Sequence, residues 1–297
     1  MYSQIASNKR RTWILIALFV GLLALVGYVY GYETNSGYGG LVLALIISVG
    51  WTSISWFAGS SMALWSTGAE ELTDRSQFPT LWNSVENLAI TAGVPKPRIF
   101  IVNDHSPNAF ATGRDPAHAS VAVTTGLLQI LNKVELEGVL AHELSHVKNY
   151  DSRLMVLVGA LVGALVMLGD FMFRGSLFGR RGRDRDGSGW IMILGLVFIL
   201  LAPLVGQVIQ LAISRRREYL ADASGALLTR YPEGLASALE KIASHATPMH
   251  STSAATNHLW ISDPTAKSFG QKVTGLFSTH PPIEERIKLL RQMLDKV

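Results

Sequence analysis

Cysteine does not occur in this chain. That absence removes disulfides, thiolate metal sites and cysteine nucleophiles, and it leaves the redox compartment undecided. Charge is scarce as well. Only 16% of residues are charged, against roughly 25% in soluble domains. With 48% hydrophobic residues, the shortage points to a membrane protein. The formal net charge is +4, and the basic residues cluster beside apolar runs, as membrane flanks do rather than a nucleic-acid surface. There is no internal repeat and no glycine-rich phosphate loop. Neither nucleic acid nor a nucleotide is therefore expected as a partner. A length of 297 residues has room for one or two domains.

Long uncharged runs fill the place of the missing charge. Thr12 to Tyr30 follows Lys9-Arg10-Arg11 and is long enough to cross a bilayer as a helix. The run is long for a signal peptide and lacks a clear cleavage site, so an uncleaved anchor is expected. A second run extends from Gly39 past Trp51, Trp56 and Phe57. Basic residues before the first span and none between the two put the amino terminus in the cytoplasm. A third run covers Leu154–Gly169, extended by Phe171, Met172 and Phe173, and a fourth covers Gly187–Ser214. The stretch Gly175–Gly189 between them reads as a loop rich in Gly, Arg and Asp. Its arginines conflict with an outside location, which leaves the last two runs either as spans or as a partly buried hairpin.

The soluble-looking segments read as a mainly α protein with a small β-sheet. Phe78-Pro79 opens a helix to about Ala92, with proline in its first turn. Arg98–Val102 and Ala119–Thr124 are strand-like. Pro107–Gly113 between them is either an ordinary connection or an edge strand that binds an extended peptide, with Asn108 near the site. Pro232 to about Ala246 and Ile283–Leu294 have amphipathic helical patterns. Thr247–Gly270 reads as a flexible connection or a lid.

The chemistry centres on His142-Glu143-Leu144-Ser145-His146. Histidines four apart share a helix face and can reach one metal ion. Leu136, Leu140, Leu144 and Val147 supply an apolar stripe for a helix over Val134–Tyr150. Zinc favours neutral imidazole, keeps a position open for water in catalytic sites, and lowers that water's pKa to about 7. Glu143, beside His142, is placed to take its proton. The alternative is two surface histidines with a chance glutamate. Such a site needs a third ligand. Glu218 and Asp222 lie four apart after Arg215-Arg216-Arg217, so Glu218 is the candidate, with Asp222 orienting a histidine. A solvated acidic face is the competing reading. His280, in Thr279-His280-Pro281-Pro282, is either a surface histidine or a donor to the oxyanion of the tetrahedral intermediate.

Taken in order, these three motifs and Asn108-Ala109-Phe110-Ala111 resemble the HtpX family of bacterial inner-membrane zinc metalloproteases. That family is related to the CAAX-type prenyl protease and the mitochondrial OMA-type proteases. The resemblance implies a zincin-like protease domain inserted among transmembrane helices. The parts would be an anchor at 1–65 with spans at about 12–30 and 39–58, protease segments at 66–152 and 215–297, and a hydrophobic helix pair within 153–214, at about 154–173 and 190–213. It implies one zinc ion per chain on His142, His146 and Glu218, with Glu143 as base and acid and Asp222 as ligand support. Asn108, Ala109, Phe110 and His280 would lie on the substrate side, and Arg286 would tie the last helix to the site. Misfolded or damaged membrane proteins would be the substrates, cut at the cytoplasmic face of the inner membrane. The alternatives are an intramembrane or prenyl-protein zinc protease, and a non-catalytic metal-binding scaffold.

Because the chain has no native cysteine, topology can be read from a single introduced one. Ser188→Cys should label only from the outer side if the last two runs both span. Labelling from the cytoplasmic side alone would make them a hairpin.

Overall fold

The structure is a computed structural model that describes residues 2–33, 35–178, 215–250, 256–262, 264 and 281–294. The run at 190–213, the Gly179–Gly189 part of the expected loop and His280 lie outside these. So do residues 251–255, 263 and 265–270 of the Thr247–Gly270 stretch.

The described chain is mainly helical with one four-stranded sheet. Helices α1 (Tyr2–Glu33) and α2 (Gly39–Ser66) lead into β1 (Glu70–Glu71), α3 (Pro79–Ala92), β2 (Arg98–Val102), β3 (Ala109–Gly113) and β4 (Ala119–Thr124). Then follow α4 (Thr125–Ile130), α5 (Lys133–Lys148), α6 (Asp151–Phe178), α7 (Arg215–Thr229), α8 (Pro232–Ser244) and α9 (Ile283–Leu294). They form two compact units. One holds Met1–Asn8, Ser60–Val156 and Ala212–Val297, and the other holds Lys9–Gly59 and Leu157–Leu211.

The second unit carries the apolar helices. Gln4–Tyr32, Gly39–Ser66 and Asp151–Asp170 are long and apolar enough to cross a membrane. Phe19, Leu23, Leu157, Leu161 and Leu165 form their contact core, and Trp51 Nε1 donates to the Ala160 carbonyl at 3.2 Å. Large apolar side chains such as Leu18, Ile46 and Phe57 face outward, which water would disfavour and lipid would not. Three boundaries differ from the sequence reading. Helix α1 starts at Tyr2, well ahead of the span expected from Thr12. Helix α2 runs on to Ser66, where the hydroxyls of Ser66 and Thr67 donate to the Ala63 and Leu64 carbonyls and satisfy the last turn. Helix α6 continues through Gly175 to Phe178. One glycine costs a helix about 1 kcal/mol, which is too little to end it.

The first unit is built around α5. Asn132 accepts from the Glu135 N–H at 3.0 Å, and Glu135 accepts from the Asn132 N–H at 2.8 Å, which closes a capping box. From Gly138 to Val147 every residue is buried. The helix is therefore a central rod and not an amphipathic cover. Leu81 and Val85 of α3, Val121 of β4, and Leu235 and Leu239 of α8 share its core. The sheet order is β1-β2-β4-β3. Strands β2 and β4 are parallel, with Ile99 opposite Val121, while β3 pairs antiparallel with β4, with Phe110 opposite Ala122. Pro107–Gly113 thus contributes an edge strand.

Close helix crossing depends on two glycines. A Cβ on Gly138 would meet the Leu235 nitrogen at 2.6 Å, and one on Gly225 would meet the His142 nitrogen at 2.9 Å. The second contact sets how near α7 comes to the histidine-bearing face of α5. Gly225→Ala should lower stability by about 1–3 kcal/mol, the usual cost of overpacking, and should weaken metal binding as well. Thermal unfolding with and without added zinc measures both, and unchanged values would show that the crossing has slack.

Candidate metal centre

Helix α5 places His142 and His146 one turn apart, with rings 4.8 Å between centroids. Their Nε2 atoms are 3.2 Å apart. Helix α7 brings Glu218 against both. One carboxylate oxygen lies 3.8 Å from His142 Nε2, and the other lies 3.5 Å from His146 Nε2. The three side chains are buried, and one ligand atom from each fits within 4.8 Å of the others. Ligands about 2.0–2.1 Å from a tetrahedral ion sit roughly 3.3 Å apart. The spacing is therefore that of a donor set ready to close on a metal.

Charge supports the same fit. Around these atoms four buried carboxylates (Glu143, Glu218, Asp151 and Asp222) face two buried guanidinium groups, Arg217 and Arg286. Uncompensated buried charge is expensive, and a dication would supply the two missing positive charges. Burial, helped by Glu218, pushes the Glu143 carboxyl up to about 8, although the Ala111 N–H and His146 oppose it. At His146 burial favours the neutral ring, but Asp151 and Glu218 outweigh it and push the imidazole up to about 9. Metal binding displaces such protons.

Each histidine has its own orienting carboxylate. His142 Nδ1 is 2.9 Å from Asp222 Oδ1. Asp222 is gripped in turn by Arg286, whose Nε donates to Oδ2 at 2.9 Å and whose Nη2 donates to Oδ1 at 2.7 Å. Burial alone would raise the Asp222 carboxyl, yet Arg286 holds it down to about 2. Arg286 is fully buried. For His142 itself burial outweighs Asp222, so its pKa falls below the ordinary imidazole value and the neutral ligand form is favoured.

His146 Nδ1 faces Asp151 Oδ2 at 3.3 Å. The sequence reading missed Asp151, as it missed Arg217, whose Nη1 is 3.4 Å from Asp151 Oδ1. A signal was present: Asp151 is five residues past His146 and opens a helix that has no charge between Arg153 and Asp170. The Tyr150 left-handed turn, φ 61°, folds it back toward the ring.

Glu143 stands one residue from His142, and the Ala111 N–H of edge strand β3 favours its charged form. The start of that edge carries the chain's own backbone. Ile261 N–H donates to the Ala109 carbonyl at 2.9 Å. Asn108 holds Ser262 from both sides, donating to its carbonyl at 3.0 Å and accepting from its N–H at 3.2 Å. Phe110 is buried edge-on against Trp260, with centroids 4.6 Å apart. Asn108, Ala109 and Phe110, expected on the substrate side, bind residues 260–262 in this structure.

The model of peptidase family M48 matches residues 75–294. The chain is 47% identical to a protease HtpX homolog of Tropheryma whipplei (strain Twist) over 99% of this chain and 98% of that one. It is 46% identical to a protease HtpX homolog of Thermoanaerobacter pseudethanolicus, again over 99% and 98%. Among solved structures, the crystal structure of S. mikatae Ste24p is similar, with a TM-score of 0.54 and 18% identity over 98% of this chain and 67% of that one. That last likeness speaks to the fold alone.

If Glu218 is a ligand and Asp222 an orienting group, their amide variants should separate. Asp222→Asn should weaken zinc binding roughly 10–100-fold, and Glu218→Gln should weaken it more. Chelator competition reads both, and wild-type affinity in Glu218→Gln would remove that residue from the centre.

Proposed function

This chain belongs to peptidase family M48, among its HtpX-type proteases, and is a membrane metallopeptidase; on that premise we propose a zinc endopeptidase that cuts misfolded or damaged membrane proteins at the cytoplasmic face of a bacterial inner membrane. The observation that carries the proposal is one geometry. His142, His146 and Glu218 converge within 4.8 Å, and the buried Glu143 stands beside them on the same helix as the two histidines.

Two imidazoles and a carboxylate, in a chain without thiols, suit zinc among the common dications. A zinc ion there would supply Lewis-acid polarisation of a scissile carbonyl and make a water acidic enough to act near neutral pH. The chain's own residues do the rest. Glu143 is buried, which raises its affinity for a proton, and it can take one from the attacking water and return it to the leaving amine. Asp222 and Arg286 fix the His142 ring, and Asp151 fixes that of His146. His280, outside the described residues, keeps in this proposal the role of oxyanion donor.

Substrate would lie extended along the outer edge of β3. Ile261 and Ser262 already fill that edge at Ala109 and Asn108, so these residues would mark where the peptide groove stops. The cytoplasmic assignment is supported by Lys9-Arg10-Arg11 ahead of the first span. Helix α5 is not among the candidate spans, which favours cleavage outside the bilayer core over an intramembrane site.

Wild type and Glu143→Gln, purified and loaded with zinc, should bind equal metal, while only the wild type degrades an unfolded membrane protein. Loss of about 10²-fold or more in rate is expected from removing the base. Equal zinc with no cleavage by either protein, on several unfolded substrates, would favour a metal-binding scaffold.

A further inference from the structure

Helix α1 contributes a side chain to the environment of the metal centre. Asn8, only 2% exposed, sits one residue ahead of Lys9-Arg10-Arg11 at the start of the chain. Its Nδ2 donates to Asp151 Oδ1 at 2.7 Å and to the Asn149 carbonyl at 2.8 Å. Both partners are acceptors, which fixes the amide orientation. Asn149 is the residue that closes α5, and Asp151 opens α6. The amide therefore bridges the end of the helix that carries His146 and the carboxylate that faces His146.

We propose that Asn8 is a positioning residue of the metal centre: its amide fixes the Asp151 carboxylate, which orients His146. The Asn8 contact to Asp151 is shorter than two others. His146 Nδ1 is 3.3 Å away and Arg217 Nη1 is 3.4 Å away. A neutral amide donor sets the carboxylate's direction without cancelling its charge, so Asp151 keeps its pull on the ring N–H. Such partners hold ligand orientation and basicity, and losing one typically costs roughly 10–100-fold in metal affinity. The N-terminal anchor helix would then belong to the catalytic apparatus as well as to the membrane attachment. The inference rests on the metal-centre reading above.

The test uses the full-length protein in detergent. Zinc affinity is measured by chelator competition, the ligand field by visible absorption of the cobalt(II)-loaded protein, and folding by thermal unfolding of the metal-free form. Asn8→Ala should weaken zinc about tenfold and shift the cobalt spectrum in the direction that Asp151→Asn shifts it. The double variant should bind no worse than Asp151→Asn alone, because the amide acts only through that carboxylate. Asn8→Asp, which puts acceptors against acceptors, should be worse than Asn8→Ala. Should Asn8→Ala fail to fold, Asn8→Ser keeps one donor and carries the same comparison. Wild-type zinc affinity and an unshifted spectrum in the folded variant would overturn the proposal, as would fully additive losses in the double variant. A wild type that binds neither ion would overturn the metal-centre reading itself.

Discussion

Ionised and polar groups are buried on a helix that has no solvent-facing side at its centre, and the rest of the first unit answers that constraint. His142, Glu143 and His146 lie within the fully buried part of α5. Each ion removed from water costs several kcal/mol unless it is paired. The pairs come from outside α5, whose other polar side chains Glu135, Glu137 and Ser145 are bonded elsewhere. They come from α7 as Glu218 and Asp222, from α9 as Arg286, from the start of α6 as Asp151, and from the start of α1 as Asn8. The tertiary fold is in this sense a way of bringing polar partners to one rod.

Bringing them close enough needs small residues as well as charged ones. Arg286 reaches Asp222 with two hydrogen bonds, and Asp222 reaches His142 only because Gly225 lets α7 lie against the α5 backbone. The sheet has a parallel duty. It is too small to form a core alone, yet its β3 strand packs against α5, where the Ala111 N–H favours the charged form of Glu143. Strand, rod and crossing helix converge on atoms a few ångströms apart. A change in any of them alters the geometry of the donors rather than only the stability of the domain.

Much of this is written locally in the chain. The His142–His146 spacing, the proline at the start of α3, the strands at Arg98–Val102 and Ala119–Thr124, and the pairing of Glu218 with Asp222 follow from periodicity and from the ligand count of a metal site. What is not written locally is what depends on long-range contact. Asn8 reads as an unremarkable polar residue ahead of a membrane span, and nothing in its neighbours announces a partner more than 140 positions away. Asp151 could have been found, because a lone acid at the head of an apolar helix five residues after a ligand histidine asks for a reason. The occupation of the β3 edge by Ile261 and Ser262 was hidden for a different cause: main-chain hydrogen bonds carry no side-chain signature.

The two histidines are supported from different places. Asp222 and Arg286, which hold His142, come from helices of the protease segment after the last apolar run. Asp151, which faces His146, is the first residue of a helix long and apolar enough to cross a membrane, and Asn8 belongs to another such helix. Half of the orienting shell is thus anchored in residues that continue directly into apolar spans. A rotation or shift of α1 at its start would be felt at Asp151 before it reached the ligands, because a 2.7 Å hydrogen bond weakens steeply when its geometry is lost.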